Sequence, residues 1–102
     1  NGKGEAFSPT DMVATSLASC MLTIMGIVAA KNKLDINGAS AKINKIMASV
    51  PRRISKIVVL IEMPDIIISS QLMVTLEQAA INCPVANSIH PDIEQEINFE
   101  WN

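Results

Sequence analysis

The segment from Met12 to Ala30 contains no charged residue, which favours either a buried helix or a membrane span. Its length is close to the ~20 residues that cross a bilayer as a helix. Five small or hydroxylated residues dilute its hydrophobicity: Thr15, Ser16, Ser19, Thr23 and Gly26. Because a helix that is apolar on all sides can also form the buried centre of a larger assembly, we favour a buried helix over a membrane protein.

A second membrane interpretation comes from Leu17-Ala18-Ser19-Cys20, which resembles the box in which the cysteine of a lipoprotein is acylated. Such a site follows a basic start and an apolar stretch. Here Asp11, Thr15 and Ser16 precede the cysteine and most apolar residues follow it. The pattern therefore does not fit a lipoprotein.

Helix-start signals stand just before the uncharged segment. Ser8 suits a helix cap, Pro9 suits the first helical position, and Asp11 completes an arrangement similar to a capping box. The sequence therefore predicts a first helix from about Pro9 to about Asn32.

Alternating apolar residues follow the turn signal Asn37-Gly38. They predict a strand over residues 39–44. Just after it, Ile46 breaks the alternation and indicates a bulge. A second alternating run over residues 54–63 predicts a strand that pairs antiparallel with the first.

The remaining chain predicts a helix, a turn and a last strand. Ser69 or Ser70 caps a second helix that ends near Asn82, because apolar residues recur there at helical spacing. Cys83 then begins a short further turn of helix to about Ser88. Residues 93–101 alternate apolar and acidic or polar side chains, which predicts a strand with a solvated outer face.

The composition favours an oligomer that does not bind nucleic acid. Hydrophobic residues make up 49% of the 102 residues and charged residues only 18%, against a usual quarter or so. Since few charges are available to cover a monomer, we expect a homodimer. The net charge of −2 and the 3% aromatic content argue against phosphate contacts and base stacking.

Cys20 and Cys83 are the candidate catalytic residues. Two cysteines without a recognisable signal peptide indicate functional thiols in a reducing compartment, so we expect a cytoplasmic protein. Cys83 precedes Pro84, where free backbone N–H groups of a new helical turn can stabilise a thiolate. Cys20 lies about three turns inside its helix, so its activation would need a cation or donor from the fold or from another subunit.

Two alternatives to reactive thiols stand beside this interpretation. Each cysteine alone could be inert packing, because free cysteine is among the most buried residue types. A metal site is weaker still, since the chain has one histidine and no spacing typical of a zinc cluster.

The cysteine motifs resemble the two signature regions of the OsmC/Ohr family, which comprises osmotically inducible protein C and the organic hydroperoxide resistance proteins. The first is Ser8-Pro9-Thr10-Asp11 followed by Cys20, and the second is Cys83-Pro84-Val85 leading to Ser88-Ile89-His90-Pro91. Pro51-Arg52-Arg53-Ile54 is also similar to OsmC-like members. The resemblance covers nearly the whole chain in order. The N-terminal strands of the family have no apparent counterpart in this sequence.

The resemblance implies an α+β fold with residues 1–102 as a single OsmC-like domain. In this fold, long central helices that carry the cysteine pack against antiparallel sheets in an intertwined homodimer. A thiol-dependent peroxidase activity is implied as well. Cys20 would attack the terminal oxygen of an organic hydroperoxide and become a sulfenic acid. Cys83 would condense with it to a disulfide, which a dithiol reductant, either a lipoylated protein or a small thiol, would reopen. No metal or bound cofactor is implied.

The chain departs from the family pattern around the first cysteine. Well-characterised peroxidase members have a glutamate ten residues before it, where this chain has Thr10, and an activating arginine from an N-terminal strand region that has no counterpart here. Arg52 and Arg53 are the only arginines, so either one replaces the missing cation or both are solvated. The departures motivate an alternative, a catalytically impaired OsmC-like dimer that binds a small hydrophobic ligand or a protein partner.

Two further titratable residues near the motifs are open to two interpretations. His90 is expected to be a loop or cap residue unless it lies near sulfur. Glu77 precedes Cys83 by one and a half helical turns and could face the site, although an exposed helix position is the simpler expectation.

Overall fold

The structure is a computed structural model that describes residues 8–101. It contains two helices and three strands in the order α1 (Pro9–Lys31), β1 (Ser40–Ala48), β2 (Arg53–Glu62), α2 (Ser70–Ile81) and β3 (Glu94–Glu100). The two predicted helices and three predicted strands are present, with bounds that shift by a few residues, whereas the short helical turn predicted from Cys83 to about Ser88 is wrong, because that segment forms turns only. The α+β class predicted from the sequence is confirmed. The seven residues before Ser8 lie outside the described residues.

The first helix begins where its capping signals predict. The Asp11 amide donates to Ser8 Oγ at 3.2 Å, and Ser8 Oγ donates to Asp11 Oδ2 at 3.0 Å. At the other end, the Asn32 amide donates to the carbonyls of Ala29 and Ala30. These contacts satisfy backbone groups that every helix terminus leaves unpaired.

One face of α1 forms the centre of the core. The helix contacts both α2 and the sheet, and its buried residues are Ala14, Leu17, Ala18, Met21, Met25 and Ala29. By length and composition α1 is also apolar enough to cross a membrane, a test that core helices of soluble proteins pass equally. The buried stripe accounts for part of its apolar character, whereas Met12, Val13 and Ile27 on the same helix remain exposed.

The sheet has the strand order β1-β2-β3. β1 and β2 pair antiparallel, and the register shifts between Ile46 and Met47, so the predicted bulge at Ile46 is confirmed. β3 pairs with β2 in parallel, with Lys56 opposite Glu94. The antiparallel pairing predicted for the first two strands is confirmed, but the sheet is mixed, whereas the family resemblance implied antiparallel sheets. A parallel pair needs a crossover between its strands, and the segment with α2 supplies it.

The second helix positions the second cysteine. Ser69 caps it, because Ser69 Oγ accepts the amide of Leu72 at 3.1 Å. Leu76 and Ala80 are fully buried, and Asn82 is the C-cap. Since α2 packs on α1, the residue directly after the cap, Cys83, enters the core.

Candidate active site

The fold brings Cys20 and Cys83 together. Cys20 lies on α1 and is half-buried, whereas Cys83 follows α2 and has no exposed surface. Both are free thiols. The side chain of Cys20 is close enough to act on the Cys83 thiol as a hydrogen-bond partner and as a charge. Sequence reasoning expected a buried Cys20, but its helix leaves this residue partly accessible.

The Cys83 thiol holds its proton more firmly than an ordinary cysteine. Burial is the main cause of its raised pKa, and the neighbouring Cys20 sulfur adds to it, because two adjacent thiolates repel each other. Backbone hydrogen bonds from Ala86 and Val85 act in the opposite direction. Backbone N–H groups that stabilise the Cys83 thiolate are therefore present as predicted, but they belong to a turn and not to a helix, and the effect of burial on the pKa outweighs theirs.

The segment after Cys83 forms consecutive turns and no regular helix. The Asn87 amide donates to the Cys83 carbonyl at 3.1 Å, and Ser88 Oγ donates to the Pro84 carbonyl at 2.7 Å. From β3, Gln95 Nε2 donates to the carbonyl of Ala86 at 3.0 Å. Hydrogen bonds of the segment itself and one from a neighbouring strand thus hold the backbone beside the thiol.

An open cavity of about 700 Å³ lies between the start of α1, the start of β2 and the loop before β3. Its lining is mostly apolar and consists of Thr10, Val13, Val50, Pro51, Arg53, Ile54, Ile89, His90, Asp92 and Ile93. Val13 stands seven residues before Cys20, which places both on one helix face about 10 Å apart along the axis. Sequence reasoning missed this cavity, because its walls come from three distant segments that share no local signal.

The two arginines differ in their relation to this cavity. Arg53 lines it and donates from Nη1 to the Pro51 carbonyl at 3.0 Å, whereas Arg52 is exposed and does not line it. Across residues 8–101, neither arginine forms an ion pair or a hydrogen bond with Cys20. The suggestion that one of them replaces the missing cation beside Cys20 finds no support within the described residues.

The other titratable candidates have structural contacts. His90 is exposed, and its Nδ1 accepts the Asp92 amide at 3.0 Å, so it is the turn residue that was expected. Glu77 is half-buried and accepts a hydrogen bond from Trp101 Nε1 at 2.7 Å, so it is not simply exposed. In the part of the chain that the structure describes, no group of three or more acidic, His or Cys side chains could hold a metal ion.

Comparisons with known proteins extend this description. A protein from Psychrobacter arcticus 273-4, named provisionally for osmotic stress induction and detoxification response, has 48% identity and a TM-score of 0.90. The match covers 96% of this chain and 71% of that one. Among curated proteins, nothing matches significantly.

More distant structures share the fold. The organic hydroperoxide resistance protein OsmC of Legionella pneumophila has 17% identity and a TM-score of 0.76, covering 95% of this chain and 72% of that one. The organic hydroperoxide resistance protein OhrB of Bacillus subtilis has 14% identity and a TM-score of 0.70, covering 97% and 75%. A family model described as OsmC-like protein matches residues 2–98. With nearly its whole length matched, the chain belongs to the family of OsmC-like proteins.

Proposed function

We propose that the protein is a thiol-dependent peroxidase that reduces organic hydroperoxides. The observation that carries this proposal is the proximity of the half-buried Cys20 thiol and the buried Cys83 thiol. Two thiols from distant parts of the sequence can only cooperate if the fold places them side by side. The names of the Legionella and Bacillus relatives, both organic hydroperoxide resistance proteins, agree with this activity.

The reaction follows from the unequal environments of the two sulfurs. The Cys20 thiolate attacks the terminal oxygen of the hydroperoxide, the O–O bond breaks, and the alkoxide leaves as the alcohol after taking a proton. Cys20 is then a sulfenic acid. The Cys83 sulfur attacks it, the S–S bond forms, and water leaves. A dithiol, either a lipoylated protein or a small thiol, reduces the disulfide and is itself oxidised.

A homodimer in the cytoplasm is the assembly that we propose for this activity. Several large apolar side chains stay exposed on the protomer, which favours a second copy as a cover: Met12, Val13, Ile27, Ile46, Val50, Ile67, Val74 and Ile81. A second subunit could also bring a cation to Cys20, because Cys20 keeps some exposed surface. The chain has two cysteines and both are free thiols, which is typical of proteins in a reducing compartment such as the cytoplasm.

Turnover of cumene hydroperoxide with dihydrolipoamide as reductant tests the peroxidase. We expect Cys20→Ser to abolish turnover and Cys83→Ser to stop the cycle at the sulfenic acid. Ser19→Ala, an exposed neighbour on the same helix, is the matched control and should keep full activity. Equal turnover by the wild type and Cys20→Ser would rule the proposal out.

The cavity favours a second candidate function, the binding of a small hydrophobic ligand by a catalytically impaired dimer. Apolar walls suit an aliphatic ligand. Asp92 Oδ2 lies 3.9 Å from His90 Nδ1, which accepts the Asp92 amide, and Arg53 has no acidic partner within residues 8–101. An aliphatic ligand with a carboxylate therefore matches the cavity in shape and charge.

Thermal unfolding in the presence of dodecanoate tests this second function. Dodecanoate should raise the melting temperature of the wild type, since a ligand that binds only the folded state stabilises it. Arg53→Met should weaken this effect, whereas Arg52→Met, the matched control beside the cavity, should not. The absence of any stabilisation in the wild type would exclude the site.

A further inference from the structure

The turn after Cys83 has few hydrogen bonds to the rest of the fold. Most of its hydrogen bonds within the described residues start and end within residues 80–89, such as those from the Cys83 amide to the Ala80 carbonyl and from the Ile89 amide to the Val85 carbonyl. Within the described residues, the bond from Gln95 Nε2 to the Ala86 carbonyl is the one that reaches this turn from a strand. Apolar side chains of the turn also pack against the core, and Gln95 adds the one directional contact that links the middle of the turn to β3 within the described residues.

Gln95 is itself firmly placed. It lies opposite Ile57 in the parallel pair of β3 and β2, and Ile57 is fully buried. Lys56 bridges β3 next to this position, with Nζ at 2.7 Å from Glu96 Oε1 and 3.6 Å from Glu94 Oε2. The donor thus comes from a strand whose register is fixed on both sides of Gln95.

The turn that Gln95 holds carries the amides that face the sulfur. Backbone N–H groups of Ala86 and Val85 donate to Cys83, and Cys20 is the only titratable side chain acting on this thiol in the part of the chain that the structure describes. Because hydrogen bonds weaken steeply when donor and acceptor lose alignment, a shift of Ala86 would weaken them. The protonation of Cys83 is therefore coupled to the position of Ala86.

We propose that Gln95 is a positioning residue for Cys83: its side-chain amide anchors the turn to β3 and keeps the amides of Val85 and Ala86 directed at the sulfur. This inference rests on the proposed role of Cys83 as the resolving thiol. In the peroxidase cycle, Gln95 would favour the thiolate that attacks the Cys20 sulfenic acid.

Thiolate absorbance in the ultraviolet gives a test that needs no access of a reagent to the buried sulfur. In Cys20→Ser, Cys83 is the only thiol, and the absence of tyrosine removes the competing phenolate signal. We expect the added change Gln95→Leu to move the titration midpoint upward. The loss of one aligned hydrogen bond corresponds to up to about a fivefold lower ratio of thiolate to thiol.

A matched control distinguishes a specific effect of Gln95 on the turn after Cys83 from a general destabilisation of β3. Asn98→Leu removes an amide from an exposed position of β3 and should leave the midpoint of Cys20→Ser unchanged. An unchanged midpoint in folded Gln95→Leu, or an equal shift in Asn98→Leu, overturns the proposal. If Gln95→Leu does not fold, Gln95→Asn, whose amide is too short to reach Ala86, must show the same upward shift.

The titration is independent of peroxide turnover. If the wild type and Cys20→Ser reduce peroxide equally, the proposed function fails, and the midpoint shift still decides the role of Gln95. If peroxide turnover depends on Cys20 but the midpoint does not depend on Gln95, the positioning role alone is wrong.

Discussion

Lys45 Nζ lies 2.6 Å from Asp11 Oδ1 and thereby joins the first turn of α1 to β1. The same carboxylate accepts a hydrogen bond from Ser8 Oγ. Lys45 is the largest cause of the lowered pKa of Asp11, and the hydrogen bond from Ser8 comes next. Asp11 thus serves both the helix cap and the contact between helix and sheet, and only the cap could be predicted from the sequence.

This contact predicts a pH-dependent stability. Since the pKa of Asp11 in the folded state is below its ordinary value of 3.8, its stabilising effect is present above pH 3.8 and is lost as the pH falls through the folded-state pKa. Urea unfolding should show that Lys45→Met is less stable than the wild type at neutral pH and that the difference shrinks in acid.

Lys42→Met is the control for this prediction. Lys42 is highly exposed and pairs with Glu62 at 3.5 Å, so its removal should matter little. A difference between the wild type and Lys45→Met that persists unchanged well below pH 3.8 would contradict the assignment to Asp11.

The core position of Leu76 predicts a large loss of stability on truncation. Leu76 has no exposed surface, whereas Val74 on the same helix is 57% exposed. Leu76→Ala should lower the free energy of unfolding by about 2–5 kcal/mol, while Val74→Ala should change it by only about 0.5 kcal/mol. Equal effects in urea titrations would show that α2 is not packed through Leu76.

The bond from Trp101 to Glu77 predicts a fluorescence change. Trp101 is the only tryptophan, so the tryptophan emission of the protein reports the surroundings of this one indole. Glu77→Ala should shift the emission to the red and lower the free energy of unfolding by about 1–2 kcal/mol, because the indole N–H loses its partner. Glu77→Gln keeps an acceptor oxygen and should resemble the wild type, and emission that is the same in all three proteins would contradict the contact.

The proposed cycle predicts different oxidation products at the two cysteines, which trapping of the oxidised intermediate can distinguish. After one equivalent of organic hydroperoxide, the wild type should contain an intramolecular disulfide between Cys20 and Cys83, visible by peptide mass mapping. Cys83→Ser should instead give a dimedone adduct on Cys20. Adducts that form mainly on Cys83 in Cys20→Ser would reverse the proposed roles.

The secondary structure could be predicted well because its signals are local. Ser8 and Ser69 cap the two helices, and the break of alternation at Ile46 marks the bulge. Such features depend on the backbone groups of a few neighbouring residues, so the sequence alone reveals them.

The arrangement around the thiols could be predicted only in part. The resemblance of the motifs indicated that Cys20 and Cys83 cooperate, but no local pattern indicated that β3 would pair parallel to β2 or that Gln95 would reach Ala86. The net effect of burial on Cys83 also depends on residues far apart in the chain. Tertiary contacts decide these properties, and short-range spacing does not contain them.

The place of β3 at the end of the folded sequence orders events during synthesis of the chain. α1 and α2 emerge from the ribosome before β3, so both cysteines leave it ahead of the strand that carries Gln95. The turn after Cys83 gains its anchor only when β3 docks beside β2, next to residues made much earlier. The final setting of Cys83 therefore depends on the strand that is last in the described part of the chain.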